Sequence, residues 1–198
     1  MTITELVQHA WAAGSAARLD GIKRLGTSAT VPDYYRFLFG LCRVIEARRI
    51  LEVGTDYGGS ILAMRRAIEG DEFAIVTVDI TNASDQQLAS YPEILKIQGD
   101  CRSRETISKV LGRLSPGLDL LYIDTEHDFN ATMASYAIYN SLLAPKYLVF
   151  DDINLNDEMR AFWQVMKLRY GSCAINAVDV VPVIRTHPQY PGFGLIAP

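Results

Sequence analysis

The chain has 198 residues, 49% of them hydrophobic and 21% charged, and a formal net charge of -4. That length supports one well-buried core and is short for two domains, so residues 1–198 are read as a single unit. The negative balance gives no general attraction for phosphate backbones or anionic lipid, which argues against nucleic acid or a membrane surface as partner. No apolar run is long enough to span a bilayer.

In chain order, MTITELVQHAWAAG reads as a helix. Glu5 stands where a secretory leader would be basic, and Gln8 and His9 break the apolar stretch, so the expected location is cytoplasmic. After Pro32, a good first-turn residue, Tyr34, Leu38, Leu41 and Ile45 recur at helical spacing. Phe37, Phe39 and Val44 widen that apolar face, so the helix is expected to pack on two sides or against a second copy of the chain. Residues 1–48 are thus a helical cap or dimerisation segment, and a homodimer is the expected assembly.

From Arg49 the pattern changes to short apolar runs alternating with amphipathic stretches. RILEV, FAIVTVD, ILKIQ, LDLLYID and KYLVFDD read as strands; Ser60–Glu69, Arg102–Leu114, Asn130–Leu143 and Asp157–Tyr170 read as helices. Unbroken apolar strands alternating with helices predict an α/β fold with a mostly parallel sheet covered on both faces. AINAVDVVPVIR and GFGLIAP, joined by a short loop, must be antiparallel neighbours, which makes a seven-stranded, Rossmann-like sheet. Trp163 and Met166, three apart on a helix, are expected in the core. Cys42, Cys101 and Cys173 are scattered, odd in number and form no C-x-x-C pair, which argues against both a disulfide framework and a zinc site.

Ligands of such sheets sit beyond the carboxyl ends of the strands, so those ends carry the functional reading. The first runs into Glu52-Val53-Gly54-Thr55-Asp56-Tyr57-Gly58-Gly59-Ser60 and then a helix. A dinucleotide turn needs G-x-G-x-x-G, and Asp56 occupies its middle glycine. A phosphate-binding P-loop needs a lysine where Ser60 stands. An acidic turn suits a cationic sulfonium with an amino-acid tail better than it suits phosphate.

At the ends of the fourth and fifth strands, Asp124 should lie beside Asp151 and Asp152. Crowded like charges are disfavoured unless compensated, and a hard divalent cation such as Mg²⁺ compensates them. The bland alternative is that each acid caps the helix that follows it.

The E-x-G-x-x-x-G-G-S turn after a strand resembles motif I of the class I S-adenosylmethionine (SAM)-dependent methyltransferases. Asp79, roughly twenty residues beyond the turn, and Gly99-Asp100-Cys101 fall where that family places acids near the ribose and the adenine. The resemblance implies cofactor contacts by Glu52, Gly54, Thr55, Tyr57, Gly58, Ser60, Asp79, Ile80, Asp100, Cys101 and Asp124. The Asp124/Asp151–Asp152 pattern is similar to that of the metal-dependent small-molecule O-methyltransferases. The I-D-x-x-H of Asp124–His127 with the acidic pair is closer to the macrocin O-methyltransferase and CmcI-type group. The likeness covers about Arg49–Asn154 and implies Asp124, Asp151 and Asp152 as metal ligands. The catechol enzymes have lysine at the position of His127 and asparagine at that of Asp152, so catechol is not implied as substrate.

These readings imply methyl transfer to a hydroxyl of a small metabolite. The metal lowers the hydroxyl's pKa, and His127, whose unperturbed pKa is near 6.5, takes its proton; metal support and helix capping are its other possible roles. A metal-independent N- or C-methyltransferase, another SAM-dependent enzyme and a non-catalytic cofactor-binding protein of the same fold are the alternatives. The loop Arg185–Pro191 either contacts substrate, with Arg185 recognising an anionic group, or is a hairpin loop stiffened by its prolines.

Overall fold

A computed structural model of the chain describes residues 1–22, 31–184, 189 and 192–198. Helix α1 spans Ile3–Gly14 and opens with a reciprocal cap. Thr2 Oγ1 accepts from the amide of Glu5, whose carboxylate accepts from the amide of Thr2, so two orphan donors are satisfied at once. Helix α2, Asp33–Val44, follows Pro32 and buries Tyr34, Tyr35, Phe37, Leu38, Leu41 and Cys42. The two helices cross backbone to backbone at Gly14 and Gly40. A β-carbon on Gly40 would lie 2.7 Å from the amide nitrogen of Gly14 and would overlap the carbonyl of Ala10.

The sheet begins with β1 (Arg49–Val53), followed by α3 (Gly59–Arg66), β2 (Ala74–Asp79), the single turn α4 (Asp85–Leu88) and β3 (Ile94–Gln98). Then come α5 (Arg104–Leu111), β4 (Leu120–Ile123), α6 (Phe129–Leu143), β5 (Tyr147–Asp151) and α7 (Asp157–Tyr170), with β6 (Ala174–Asn176) and β7 (Phe193–Ile196) last. The order across the sheet is β3-β2-β1-β4-β5-β7-β6. β1 to β5 are parallel, and β7 runs antiparallel to both β5 and β6. The expected seven-stranded Rossmann-like sheet is therefore present, with helices on both faces. One core packs α1, α2 and α3 on the sheet, and the other packs α5, α6 and α7, with Trp163 and Met166 buried in it.

One expected strand is corrected. AINAVDVVPVIR pairs for three residues only and continues as 3₁₀ turns at Ala177–Asp179 and Pro182–Ile184. Asn176 ends the pairing. Its side-chain oxygen accepts from the amides of Val178 (3.3 Å) and Phe193 (3.0 Å), while its amide donates to Asp179 at 3.0 Å. A side chain that offers the backbone a local partner outcompetes the ladder. The loop expected to carry Arg185 and His187 falls outside the described residues except for Gln189. The broad face of α2 packs within the chain, against α1, α3 and Phe193, whose ring lies 5.7 Å from that of Phe37.

Candidate active site

The strand order reverses between β1 and β4, which run outward from the middle of the sheet, so their carboxyl ends open a crevice between two loops. Gly54 leaves β1 with φ +95°, and a β-carbon there would overlap the carbonyl of Asp124 at the end of β4. Glycine lets the two strand ends touch. Asp56 follows at φ 43° and Gly58 at φ 81°, and Gly58 caps α3 without a side-chain hydrogen bond.

Beneath this turn lies a polar network. Glu52 is fully buried; Ser60 Oγ donates to its Oε1 at 2.5 Å, Thr77 Oγ1 to its Oε2 at 2.6 Å, and Thr55 Oγ1 lies 2.5 Å from Thr77 Oγ1. Burial pushes the Glu52 carboxyl up to about 8, against the pull of the two hydroxyls and with the push of Asp124 and Asp79. Glu52 lines neither cavity of the crevice. It holds Ser60 and β2 in place from below. Asp79 clamps the turn from the side. One oxygen accepts from the amides of Thr55 and Asp56, both at 2.8 Å, and the other from the amide and hydroxyl of Thr81 at 2.7 and 2.9 Å.

Two adjoining cavities open from the crevice. The first, about 280 Å³, is lined by Gly54, Asp79, Ile80, Asp100, Cys101 and Asp124 among others. Ile80 is 64% exposed at its mouth, an unusual position for a large aliphatic side chain beside two acids. Arg102 crosses the rim, paired with Asp100 at 3.0 Å and Glu126 at 3.2 Å. The backbone and side chain of Arg102 hold the Asp100 carboxyl below its usual range. The second cavity, about 270 Å³, is lined by the glycine turn with Thr55, Tyr57 and Ser60, by Asp124, His127, Asp151 and Asp152, and by Tyr34 and Tyr35 of α2.

Asp124 and Asp151 lie together at this cavity, and the group of potential ligands they form takes in His127 and not the expected Asp152. Asp124, His127 and Asp151 offer ligand atoms that all lie within 4.8 Å of one another. His127 Nε2 is 3.1 Å from Asp124 Oδ1 and 3.8 Å from Asp152 Oδ2. Asp124 Oδ2 accepts from the phenol of Tyr122 at 3.3 Å. His127 and Asp152 have left-handed backbones, φ 56° and 48°, so each loop turns sharply to point its side chain inward; the His127 carbonyl is held by the amide of Asn156 at 2.9 Å. Such conformations cost energy in non-glycine residues and cluster at functional sites.

Asp151 is 5% exposed, and its Oδ1 is buried without a hydrogen-bond partner. Burial, then the charges of Asp124 and Asp152, hold its carboxyl well above the usual range. A buried carboxylate with an unpartnered oxygen, close to a second carboxylate and an imidazole, is costly unless compensated. A divalent cation removes the cost, and the donor set of oxygens with one nitrogen fits one.

The cavities therefore gather every sequence-predicted site residue except Glu52 and Gly58, which build the turn from below and behind. Tyr34 and Tyr35 escape sequence reasoning, because the apolar face of α2 is broad and nothing in its pattern separates a cavity-lining tyrosine from a core one. The same holds for Tyr122, read as strand body.

A glycine turn, an acid at each following strand end and an open parallel sheet with an antiparallel final pair define a class I SAM-dependent methyltransferase fold. The chain belongs to the methyltransferase-domain family, whose model matches residues 51–153, just over half of the chain. Among solved structures, the chain is similar to the O-methyltransferase from Bacillus cereus in complex with SAH. The TM-score there is 0.63 at 16% identity, covering 98% of this chain and 91% of that one. It is also similar to the O-methyltransferase TomG from Streptomyces achromogenes, involved in tomaymycin synthesis and solved with SAM. There the TM-score is 0.62 at 21% identity, covering 96% and 88%. Comparison with the curated proteins gives no match.

Proposed function

We infer that the chain methylates a hydroxyl group of a small acceptor, using SAM as donor and a divalent cation, Mg²⁺ or a similar ion, held by Asp124 and Asp151 with Asp152 alongside. The observation that carries this reading is the buried carboxylate of Asp151, its Oδ1 without a partner, grouped with Asp124 and His127 so that one ligand atom of each lies within 4.8 Å of the others. The cofactor supplies an electrophilic methyl on a sulfonium, and the ion supplies a Lewis acid that lowers the pKa of an acceptor hydroxyl. Transfer of that methyl to an acceptor oxygen would release the hydroxyl proton, for which the chain must provide a base.

The chain's own groups do the rest. The Gly54–Ser60 turn and Asp79 set the donor's position, and the wall shared by the two cavities brings donor and acceptor together, which supplies the proximity such a displacement needs. His127 takes the proton. Its ring, oriented by Asp124, is half-buried at the cavity wall. Burial alone would lower its pKa. The hydrogen bond to Asp124, and then the charges of Asp124, Asp152 and Glu126, outweigh that and raise it above the ordinary value. A second reading makes His127 a third ligand of the ion, favoured by its ligand atom lying within the 4.8 Å group.

Calorimetry tests the proposal. SAH should bind with micromolar affinity. Mg²⁺ or Mn²⁺ should give a separate binding heat that disappears in Asp151→Asn, while SAH affinity changes less than threefold. SAH binding with no metal heat in the wild type would move the reading to metal-independent methyl transfer. Absence of SAH binding would remove it altogether.

A further inference from the structure

Tyr122 stands two residues before Asp124 on β4. The ladder runs one residue past the strand, since the amide of Asp124 donates to the carbonyl of Val53 at 2.8 Å. The alternation of faces therefore holds through Asp124, and the two side chains leave the same face. Tyr122 lies in register with Glu52 of β1 on one side and Val149 of β5 on the other. It is fully buried, and its ring packs against Phe193 at 6.1 Å between centroids. A side chain so enclosed has little room to move. Its phenol is a fixed donor, and it reaches along the strand to Asp124 Oδ2 at 3.3 Å.

Asp124 is thus held from two directions. His127 meets Oδ1 at 3.1 Å from the loop after β4, and Tyr122 meets Oδ2 from within the sheet. The two holds differ in stiffness, because a strand flanked on both sides moves less than a loop. Phenylalanine would fill the space of the Tyr122 ring equally well, so packing does not call for the hydroxyl. What the hydroxyl adds is orientation, since it fixes the rotation of the Asp124 carboxylate. That carboxylate is grouped with His127 and with Asp151, whose Oδ1 lacks a partner. A ligand held in place before the ion arrives binds it more tightly, and removing such a support typically weakens metal binding by about 10- to 100-fold.

We propose that Tyr122 is a positioning residue for the divalent cation, acting through Asp124 from beneath the cavity. This rests on the assignment of the Asp124–Asp151 cluster to a divalent cation.

The test is calorimetry of Mn²⁺ and of SAH on wild type and on Tyr122→Phe, with urea unfolding to establish that the variant is folded. The expected result is roughly 10- to 100-fold weaker Mn²⁺ binding with unchanged SAH binding. Unchanged Mn²⁺ binding would make the phenol a satisfied core group and overturn the proposal. Equal loss for Mn²⁺ and SAH, or failure of the variant to fold, would make the hydroxyl a general structural support and overturn it too. Wild type that binds SAH and gives no Mn²⁺ heat would instead strike the metal reading itself, and is told apart because it precedes any variant.

Discussion

At the scale of single residues, His127 carries the sharpest expectation. As the base it must be unprotonated, so the metal-saturated rate should rise with pH through the titration of His127. His127→Asn should lower kcat by ~10²–10⁴ and abolish that limb, leaving the affinity for divalent cation nearly unchanged. If the substitution instead lowers metal affinity tenfold or more and keeps the pH limb, His127 is a ligand. Both the imidazole and its partner Asp124 were legible in the sequence, because an acid ending a strand and a histidine three residues on needed only the parallel topology to meet. The orphaned oxygen of Asp151 was not legible, since it depends on what fails to reach a buried atom.

Among elements, the crossing of α1 and α2 is the least forgiving. A methyl on Gly40 would meet backbone on both sides, the Ala10 carbonyl and the Gly14 amide, and backbone cannot swing aside as a side chain can. Gly40→Ala should destabilise the chain by about 3 kcal/mol, read as a shift in the urea midpoint at constant slope. It should also loosen Tyr34 and Tyr35, which sit on the same helix. Helix α2 itself was visible from its periodicity, and so were the strands, because parallel strands buried on both faces must be apolar throughout. Which neighbours cover so broad an apolar face is not encoded in the helix's own pattern. Its breadth is consistent with a partner copy as much as with the intramolecular packing on α1 and α3. The segment after Asn176 misled for a related reason: alternating apolar residues look like a strand until one amide side chain captures the backbone of its neighbours.

For the molecule as a whole, pH acts through the buried acid under the glycine turn. A carboxyl whose folded pKa lies above its unfolded value binds more protons in the native state. It contributes stability fully below about 4.5 and loses it as pH rises through about 8. Measured by thermal unfolding across that window, the wild type should lose roughly a few kcal/mol relative to Glu52→Gln. The amide can meet Ser60 and Thr77 without titrating, so parallel curves for the two proteins would show that Glu52 remains ionised when folded. The sheet order has a different consequence. Strand β7 comes last in sequence but sits inside the sheet between β5 and β6, and Phe193 joins Tyr34, Phe37 and Tyr122. During synthesis from the N-terminus, every residue that lines the two cavities emerges from the ribosome before the strand that closes the sheet beside them. The nascent chain thus carries an open edge on β5 and an unfilled aromatic socket until residues 193–196 arrive, the interval in which it is most exposed to mispairing and to chaperones.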